Sequence, residues 1–433
     1  MEKNYLLSVT LDSENCTGCT NCLKRCPTEA IRVRGGKAKI KKMYCIDCGE
    51  CIRICPHHAK RAAYDSLDTL ADFEYKIALP PPSLYAQFNN LDDKSLVLDA
   101  LIQFGFDEVF EVAAAAEIIS AATRQELRRE GVRLPLISSA CPSTVRLIRV
   151  RFPNLIDNIS RLAAPIDLAA DLAVKAAITK TGLPREKIGV FFITPCPAKV
   201  TSVYSPLGIG KSNVDRVIAV SDIYPKLLSA MKKVYEKYDD DDFSHTNTIA
   251  GKIGVSWGNR GGEAAGLIID RYLAADGIEN VIRVLNDLED NKIHNVDFIE
   301  LNACAGGCVG GVLTVENPFI ANVKLNKLRK YLPVSGTHTE DGFPESIRLT
   351  KPIEYLPLFE YGGSVAESIA MMQKIDAQFA RLPGLDCGCC GAPSCRAHAE
   401  DIIKGKTTEN ECIHLLKKNL QALAGVSTGI SGD

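Results

Sequence analysis

An α/β body flanked by two small cysteine-rich modules, one α+β and one helical, is the fold class that three features of the sequence predict. Short apolar runs alternate with amphipathic stretches through the middle of the 433 residues. Eight of the 17 cysteines fall between Cys16 and Cys55, and five more crowd between Cys387 and Cys412. The chain is about three times the length of a typical 100 to 150-residue domain, so several domains are expected. The cysteine pattern divides it at 1–75, 76–375 and 376–433.

Composition narrows the class. With 46% hydrophobic and 24% charged residues the chain has the balance of a soluble globular protein. A net charge of -2, from 51 Lys and Arg against 53 Asp and Glu, gives no basic footprint for nucleic acid. Glu117 interrupts the alanine-rich run from Val112 to Ala122, and no segment reaches the roughly 20 apolar residues of a membrane span. An odd number of cysteines cannot all pair. Met1 to Leu11 lacks the apolar core of an export signal. Reduced thiols in the cytoplasm are therefore expected.

In the first module, residues 16 to 27 read CTGCTNCLKRCP and residues 45 to 56 read CIDCGECIRICP. Each is C-x2-C-x2-C-x3-C-P. This resembles the two-cluster ferredoxin family, in which the fourth cysteine of each run ligates the other cluster. The resemblance implies one 4Fe-4S cluster on Cys16, Cys19, Cys22 and Cys55, and a second on Cys45, Cys48, Cys51 and Cys26. Zinc is the other occupant that thiolates admit. His57 and His58 read as surface residues. A connector from Tyr64 to Phe73, with helical character, leads into the apolar segment Ile77 to Pro82.

In the central module Leu134 to Ser139, Ile188 to Ile193, Val217 to Val220, Ile253 to Trp257 and Phe298 to Leu301 have the length of buried parallel strands. Pro165 to Lys180 and Gly262 to Ala275 read as helices, with Pro165 suited to a first helical position. The Asp239 to Asp242 run reads as a solvated loop. Four isolated cysteines follow apolar strands: Cys141 in SSACPS, Cys196 in TPCPAK, and Cys304 and Cys308 in ELNACAGGCVGG. Three strand ends of a parallel system can converge on one site. Gly306, Gly307, Gly310 and Gly311 are expected to let backbone approach a bulky ligand.

These segments resemble the three signatures of the FeFe-hydrogenase catalytic domain, of the forms TSCCP, MPCxxK and ExMxCxxGC. The resemblance implies a two-lobed catalytic domain whose Cys141, Cys196, Cys304 and Cys308 hold a 4Fe-4S subcluster. Cys308 would bridge to a di-iron subcluster bearing carbonyl, cyanide and dithiolate ligands, the two together forming the H-cluster. Lys199 would hydrogen-bond a cyanide, and Glu300 takes the family's acidic position. ALPPPS, at Ala78 to Ser83, resembles the family's first active-site loop. The departures matter as much. Where fast members carry a proton-relaying cysteine, this chain has Ala140, which can neither donate nor accept. Thr194 and Asn302 stand where the family has methionines, and are expected to put polar groups beside the cluster. Slow turnover is expected, with low-turnover hydrogen or redox sensing as the role.

In the third module Cys387, Cys390, Cys395 and Cys412 stand in the spacing C-x2-C-x4-C-x16-C, with a helical stretch between the last two that stops at Gly405. Gly388, Gly391 and Pro393 supply turn chemistry. The spacing is similar to the small Fe-S domain of corrinoid-type proteins, which implies one further 4Fe-4S cluster, with zinc as the alternative. The same module follows the catalytic domain in a sensory branch of FeFe-hydrogenases, many of which continue into a PAS domain. Since the sequence stops at Asp433, either a separate partner is expected to receive any signal or the third module itself is the output.

Cys389, lying between two ligand candidates, is left as either a spare thiol or an alternative ligand under oxidation. Gly210 to Ser212 reads GKS, but a phosphate-binding loop needs glycine where Ser205 stands. Trp257 is expected to end a strand and pack near the site; His245, His294 and His338 carry no assigned chemistry. The partners implied are H2 and protons, a ferredoxin-like electron partner or signalling protein, and hydrogenase maturation proteins, with neither nucleic acid nor membrane. The other reading is a hydrogenase-like iron-sulfur assembly or electron-transfer protein that holds only 4Fe-4S clusters.

Overall fold

The computed structural model describes residues 7–237, 249–337, 342–357 and 364–423. Asp239 to Asp242, His245 and His338 lie outside the described residues. The chain forms two compact units. The smaller comprises Val9–Cys45, Glu50–Arg61 and the chain from Pro357 onward, and the larger comprises residues up to Ser8, Ile46–Gly49 and Ala62–Leu356.

The smaller unit carries β1 (Val9–Leu11), the antiparallel pair β2 (Ile31–Arg34) and β3 (Lys37–Ile40), and β4 (Lys60–Ala62), which pairs with β1. Its core is sparse in aliphatic residues. Val9, Leu23, Ile31, Ala38 and Ala59 pack with Cys16, Cys22 and Cys51. A second cluster sets Ile375, Leu382 and Ala399 around Cys395 and Cys412. The two clusters are joined by charge. Asp401 is 2% exposed and accepts from Arg32 Nε at 2.6 Å, Arg34 Nη2 at 3.1 Å and Lys41 Nζ at 3.1 Å. Burial alone would raise its carboxyl; the charges of Arg32 and Lys41 win and hold it below its ordinary value.

Two parallel sheets build the larger unit. β5 (Tyr75–Leu79), β6 (Glu108–Val109), β8 (Ile188–Thr194) and β9 (Arg216–Ala219) lie in the order β6-β5-β8-β9. β7 (Leu136–Ile137), β10 (Tyr272–Asp276) and β11 (Phe298–Asn302) lie in the order β10-β11-β7. Every residue of β8 is buried. Its side chains alternate between two cores, Phe191 and Ile193 to one and Val190 and Phe192 to the other, as a strand covered on both faces requires. Helix Pro165–Thr181 begins with its proline at the first position and covers one of these faces. The connector from Tyr64 forms a 3-10 turn at Leu67–Asp72.

Two expectations fail here. Ile253 to Trp257 is not a strand; Lys252–Ser256 is a helix, and Trp257 caps its end. The signal is tertiary. The buried Glu117 carboxylate accepts the N–H groups of Gly251 at 2.7 Å and Gly254 at 3.3 Å, satisfying donors that a helix start leaves open. A Cβ at Gly254 would stand 2.1 Å from the Ala113 carbonyl oxygen, so only glycine allows this contact. Gly262 to Ala275 is likewise not one helix. The helix stops at Gly266, Ile268 takes a positive φ of 55°, and the rest becomes β10 because β11 offers it a parallel partner.

Candidate functional site

The ligand candidates of the larger unit sit where strands end and helices begin. Cys141 follows β7 and caps helix Pro142–Arg151; Cys196 follows β8 and caps helix Pro197–Tyr204. Each cysteine precedes a proline at the first helical position, so the helix N-terminus favours negative charge at the thiol. Cys304 and Cys308 follow β11. Lys199, one turn into its helix, places Nζ 3.7 Å from Cys308 Sγ. Burial would lower this ammonium, but the thiols of Cys308, Cys196, Cys141 and Cys304 outweigh it and hold it well above its usual value. All four cysteines therefore face one cation. Burial raises the Cys196 thiol to about 11, against the opposing charge of Lys199.

A cavity of about 620 Å³, mouth included, opens beside Cys308 and Lys199. Its lining includes Pro82, Ala140, Trp257, Glu263, Glu300 and Asn302. Glu300 accepts from the N–H groups of Gly261 at 2.8 Å and Ala264 at 2.9 Å, and from Asn302 Nδ2 at 2.7 Å. Glu263 accepts from Ser138 Oγ at 2.6 Å, and Ser138 Oγ accepts the Ala140 N–H at 3.1 Å. Burial, helped by the neighbouring Glu300 charge, lifts the Glu263 carboxyl well above its ordinary range. Glu263 thus stands in the cavity wall, linked to Ala140 through Ser138. Sequence reasoning passed over it inside SWGNRGGE. The one signal was a carboxylate within a glycine-rich loop.

Thr194 is fully buried but turned away from the cavity. Its hydroxyl donates to the Cys196 carbonyl at 2.9 Å and accepts the Cys196 N–H at 3.3 Å, which shapes the loop. The glycines near Cys308 are required by the packing of the chain itself. A Cβ at Gly307, Gly310 or Gly311 would strike protein backbone at 2.6, 2.0 and 2.1 Å, so chain packs on chain there. Trp257 Nε1 donates to Ser120 Oγ at 3.0 Å. Ser212, in the GKS triplet, spends its hydroxyl on Asp167 at 3.1 Å. His57, His58 and His294 are exposed.

In the smaller unit a cavity of about 340 Å³ is lined by Cys16, Cys19, Cys22 and Cys55, with Val33, Ala38 and Lys60. The Ala38 N–H reaches Cys16 Sγ at 3.4 Å. Backbone N–H groups of Lys60, His57 and Ala59 overcome burial and lower the Cys55 thiol. Lys60 is 2% exposed, and its Nζ has no hydrogen-bond partner among the described residues. A buried orphan ammonium facing four thiols fits an anionic cluster, which offers both the missing acceptor and the countercharge. Cys26, Cys45 and Cys51 join the same core, and the Ala30 N–H reaches Cys26 Sγ at 3.2 Å.

Cys48 belongs to the segment Ile46–Gly49 of the larger unit. Asp47 there accepts from Thr201 Oγ1 at 2.5 Å, and a Cβ on Gly49 would stand 2.7 Å from Val312. Cys395 and Cys412 are buried, Cys390 is half-buried, and Cys387 and Cys389 are exposed. Among the described residues no three His, Cys, Asp or Glu side chains close around a single ion. Four thiolates on one zinc stand roughly 3.8 Å apart, given bonds of about 2.3 Å; a cubane spaces its cysteines wider. No helix among the described residues is long and apolar enough to cross a membrane.

Residues 76–269 and 263–312 match the family described as "Iron only hydrogenase large subunit, C-terminal domain". Residues 8–56 match "4Fe-4S dicluster domain" and residues 382–414 match "Putative Fe-S cluster". An NADP-reducing hydrogenase subunit of Solidesulfovibrio fructosivorans is 26% identical over 49% of this chain and 44% of its own. Iron hydrogenase 1 of Clostridium pasteurianum is 24% identical over 59% and 53%. The chain thus spans about half the length of these two relatives. A probable cytosolic Fe-S cluster assembly factor of Drosophila melanogaster is 21% identical over 76% of this chain and 78% of its own. Among solved structures, a variant of the [FeFe]-hydrogenase HydA1 of Chlamydomonas reinhardtii superposes with a TM-score of 0.47 at 16% identity, covering 61% of this chain and 88% of that one.

Proposed function

Since the chain belongs to the family of the iron-only hydrogenase large subunit, C-terminal domain, we propose that its larger unit interconverts H2 with protons and electrons, slowly, in the service of hydrogen or redox sensing. Cys141, Cys196, Cys304 and Cys308 hold the H-cluster. The observation that carries this reading is the cavity beside Cys308, walled by a cation and two carboxyl groups. A site that held only a cubane would need four thiolates and no further room.

When bound, the di-iron subcluster, with its carbonyl, cyanide and dithiolate ligands, supplies the metal at which H2 is made and split. The chain supplies everything else. Lys199 presents a fixed ammonium to the cavity beside Cys308, a charge-assisted donor for an anionic ligand. Pro82, Trp257 and Gly258 line the cavity's apolar side. Ala140 leaves the usual proton relay empty. Glu263, protonated and held by Ser138, is the acid nearest that gap, so protons move through a carboxyl less directly placed than a thiol. Electrons enter through 4Fe-4S clusters on the N-terminal cysteines, and the Asp47 to Thr201 bond sets Cys48 against the helix that carries Lys199.

Deuterium exchange between H2 and D2O tests this on protein produced with hydrogenase maturation proteins. Exchange at a low but measurable rate, lost in Cys308→Ala, is expected; no exchange from fully metallated protein contradicts it. A second reading, an assembly protein holding only 4Fe-4S clusters, is favoured by the greater share of both chains aligned with the assembly factor. It expects the same clusters and no exchange.

A further inference from the structure

We infer that the C-terminal cysteine site and the Cys16, Cys19, Cys22 and Cys55 site form one redox pair, coupled through β2 and set in potential by Arg34. The inference rests on the reading that both cysteine sets hold 4Fe-4S clusters. All the residues concerned lie within the smaller unit.

Two non-covalent contacts join the sites. Val33 lines the cavity of the first site, and its backbone N–H donates to the Gly391 carbonyl at 2.8 Å, one residue after Cys390. Gly391, at φ +74°, is seated so closely that a Cβ would fall 1.9 Å from the Val33 carbonyl oxygen, and no other residue type permits this apposition. The second contact starts at Cys22. Lys24, two residues on, donates from Nζ to the Asp386 carbonyl directly before Cys387. A Cβ on Gly388 would stand 2.7 Å from Lys24 Cε and 3.3 Å from a Leu23 methyl. The loop of the C-terminal site therefore lies on the loop of the first one, cysteine segment against cysteine segment, held by the hydrogen bonds from Val33 and Lys24.

Arg34 gives the junction its sign. Nη1 donates to the Cys390 carbonyl at 2.6 Å and Nη2 reaches Asp401 at 3.1 Å, which fixes the guanidinium over the C-terminal loop. A cation held there favours the more negative, reduced state of a cluster on Cys390. His398 adds a group fitted to the same loop. It is 1% exposed, three residues after Cys395, and neither ring nitrogen has a hydrogen-bond partner among the described residues. A ligated sulfur would give its N–H an acceptor. With clusters bound at both cysteine sets, one electron would leave one cluster as it entered the other, one cluster being oxidised and the other reduced, with no bond or proton changing hands. Exposed Cys387 puts the outer end of the pair at the surface, so the C-terminal module is an electron port and not an isolated structural clip.

Electron paramagnetic resonance of the dithionite-reduced full-length protein tests this. Iron and sulfide content come first: Cys412→Ser should lose one cluster's worth of each, and a full complement there would contradict the cluster reading itself. The C-terminal signal, taken as the difference between the native protein and Cys412→Ser, is expected to be split by spin coupling. The splitting should vanish in Cys19→Ser and persist in Cys48→Ser. A signal unsplit in the native protein, or unchanged in Cys19→Ser with the iron content reduced there, overturns the pairing. Arg34→Gln, which keeps every ligand, should lower the midpoint potential of the C-terminal cluster alone; an unmoved midpoint overturns the role of Arg34.

Discussion

Each unit buries a lysine against four cysteines, and the two settings differ in what lies beyond the sulfurs. Around Lys60 a cavity of about 340 Å³ is lined by the four cysteines, small apolar side chains and neutral polar loop residues, with no carboxyl group. Around Lys199 the cavity continues for about 620 Å³ to Glu263 and Glu300. The first arrangement suits a carrier, which must hold charge and do nothing else. The second adds room for a ligand and groups that hold protons, and these are the requirements of chemistry on small molecules. A buried cation marks both sites; the volume and the acids separate them.

The largest expected effect breaks that parallel. Lys199→Ala should abolish hydrogen turnover, at least about 100-fold by the usual weight of a buried charge-assisted contact, whereas Lys60→Met should keep most activity with an artificial donor. Equal losses would mean that both lysines serve only as countercharges. Ala140→Cys restores the missing relay and should raise turnover by about 100-fold; an unchanged rate would take position 140 off the proton path.

Glu263→Gln should slow turnover by about tenfold and flatten its pH profile. The same residue predicts a stability effect opposite in sign to that of Asp401. Glu263 is raised above its ordinary value of 4.5, so between that value and its folded pKa the native state binds the extra proton. The stability it contributes is complete below 4.5 and lost as pH rises through the folded pKa. Thermal midpoints of the larger unit should therefore fall with rising pH in the native protein and fall less in Glu263→Gln. Asp401 is lowered below 3.8, so its contribution is present above that pH and lost in acid. Asp401→Asn takes from Arg32, Arg34 and Lys41 the carboxylate they share and should destabilise the smaller unit by about 3 kcal/mol at neutral pH. The smallest effect is that of Lys60→Met on the first cluster, a midpoint lower by on the order of 60 mV, a tenfold change for a one-electron couple.

Much of the larger unit was legible because its signals are local. β8 is an apolar run that needs no context, and Pro165 announces its own helix. Cys141 and Cys196 each stand between a strand end and a Cys-Pro helix start, so motif and element coincide. Lys252–Ser256 was illegible because its helix is capped by Glu117, more than a hundred residues away, and not by a neighbour in sequence. The final strand of SWGNRGGEAAGLIIDRYLAAD depended on a partner, β11, that no periodicity reveals. In the site, ligand spacing was visible and proton chemistry was not. Glu263 becomes an acid only through burial beside Glu300, and Thr194, a polar residue in a signature position, spends its hydroxyl on its own loop. The ion cluster on Asp401 links residues some 360 positions apart, and no composition argument reaches that far.

The central claim is that the space beside Cys308 receives a di-iron unit. Infrared spectroscopy of the full-length protein, produced with hydrogenase maturation proteins, tests it most directly. The account expects bands of metal-bound carbonyl and cyanide, with the cyanide bands shifted when Lys199 is replaced by Arg. A protein that carries its full complement of 4Fe-4S clusters and shows no such bands would contradict it.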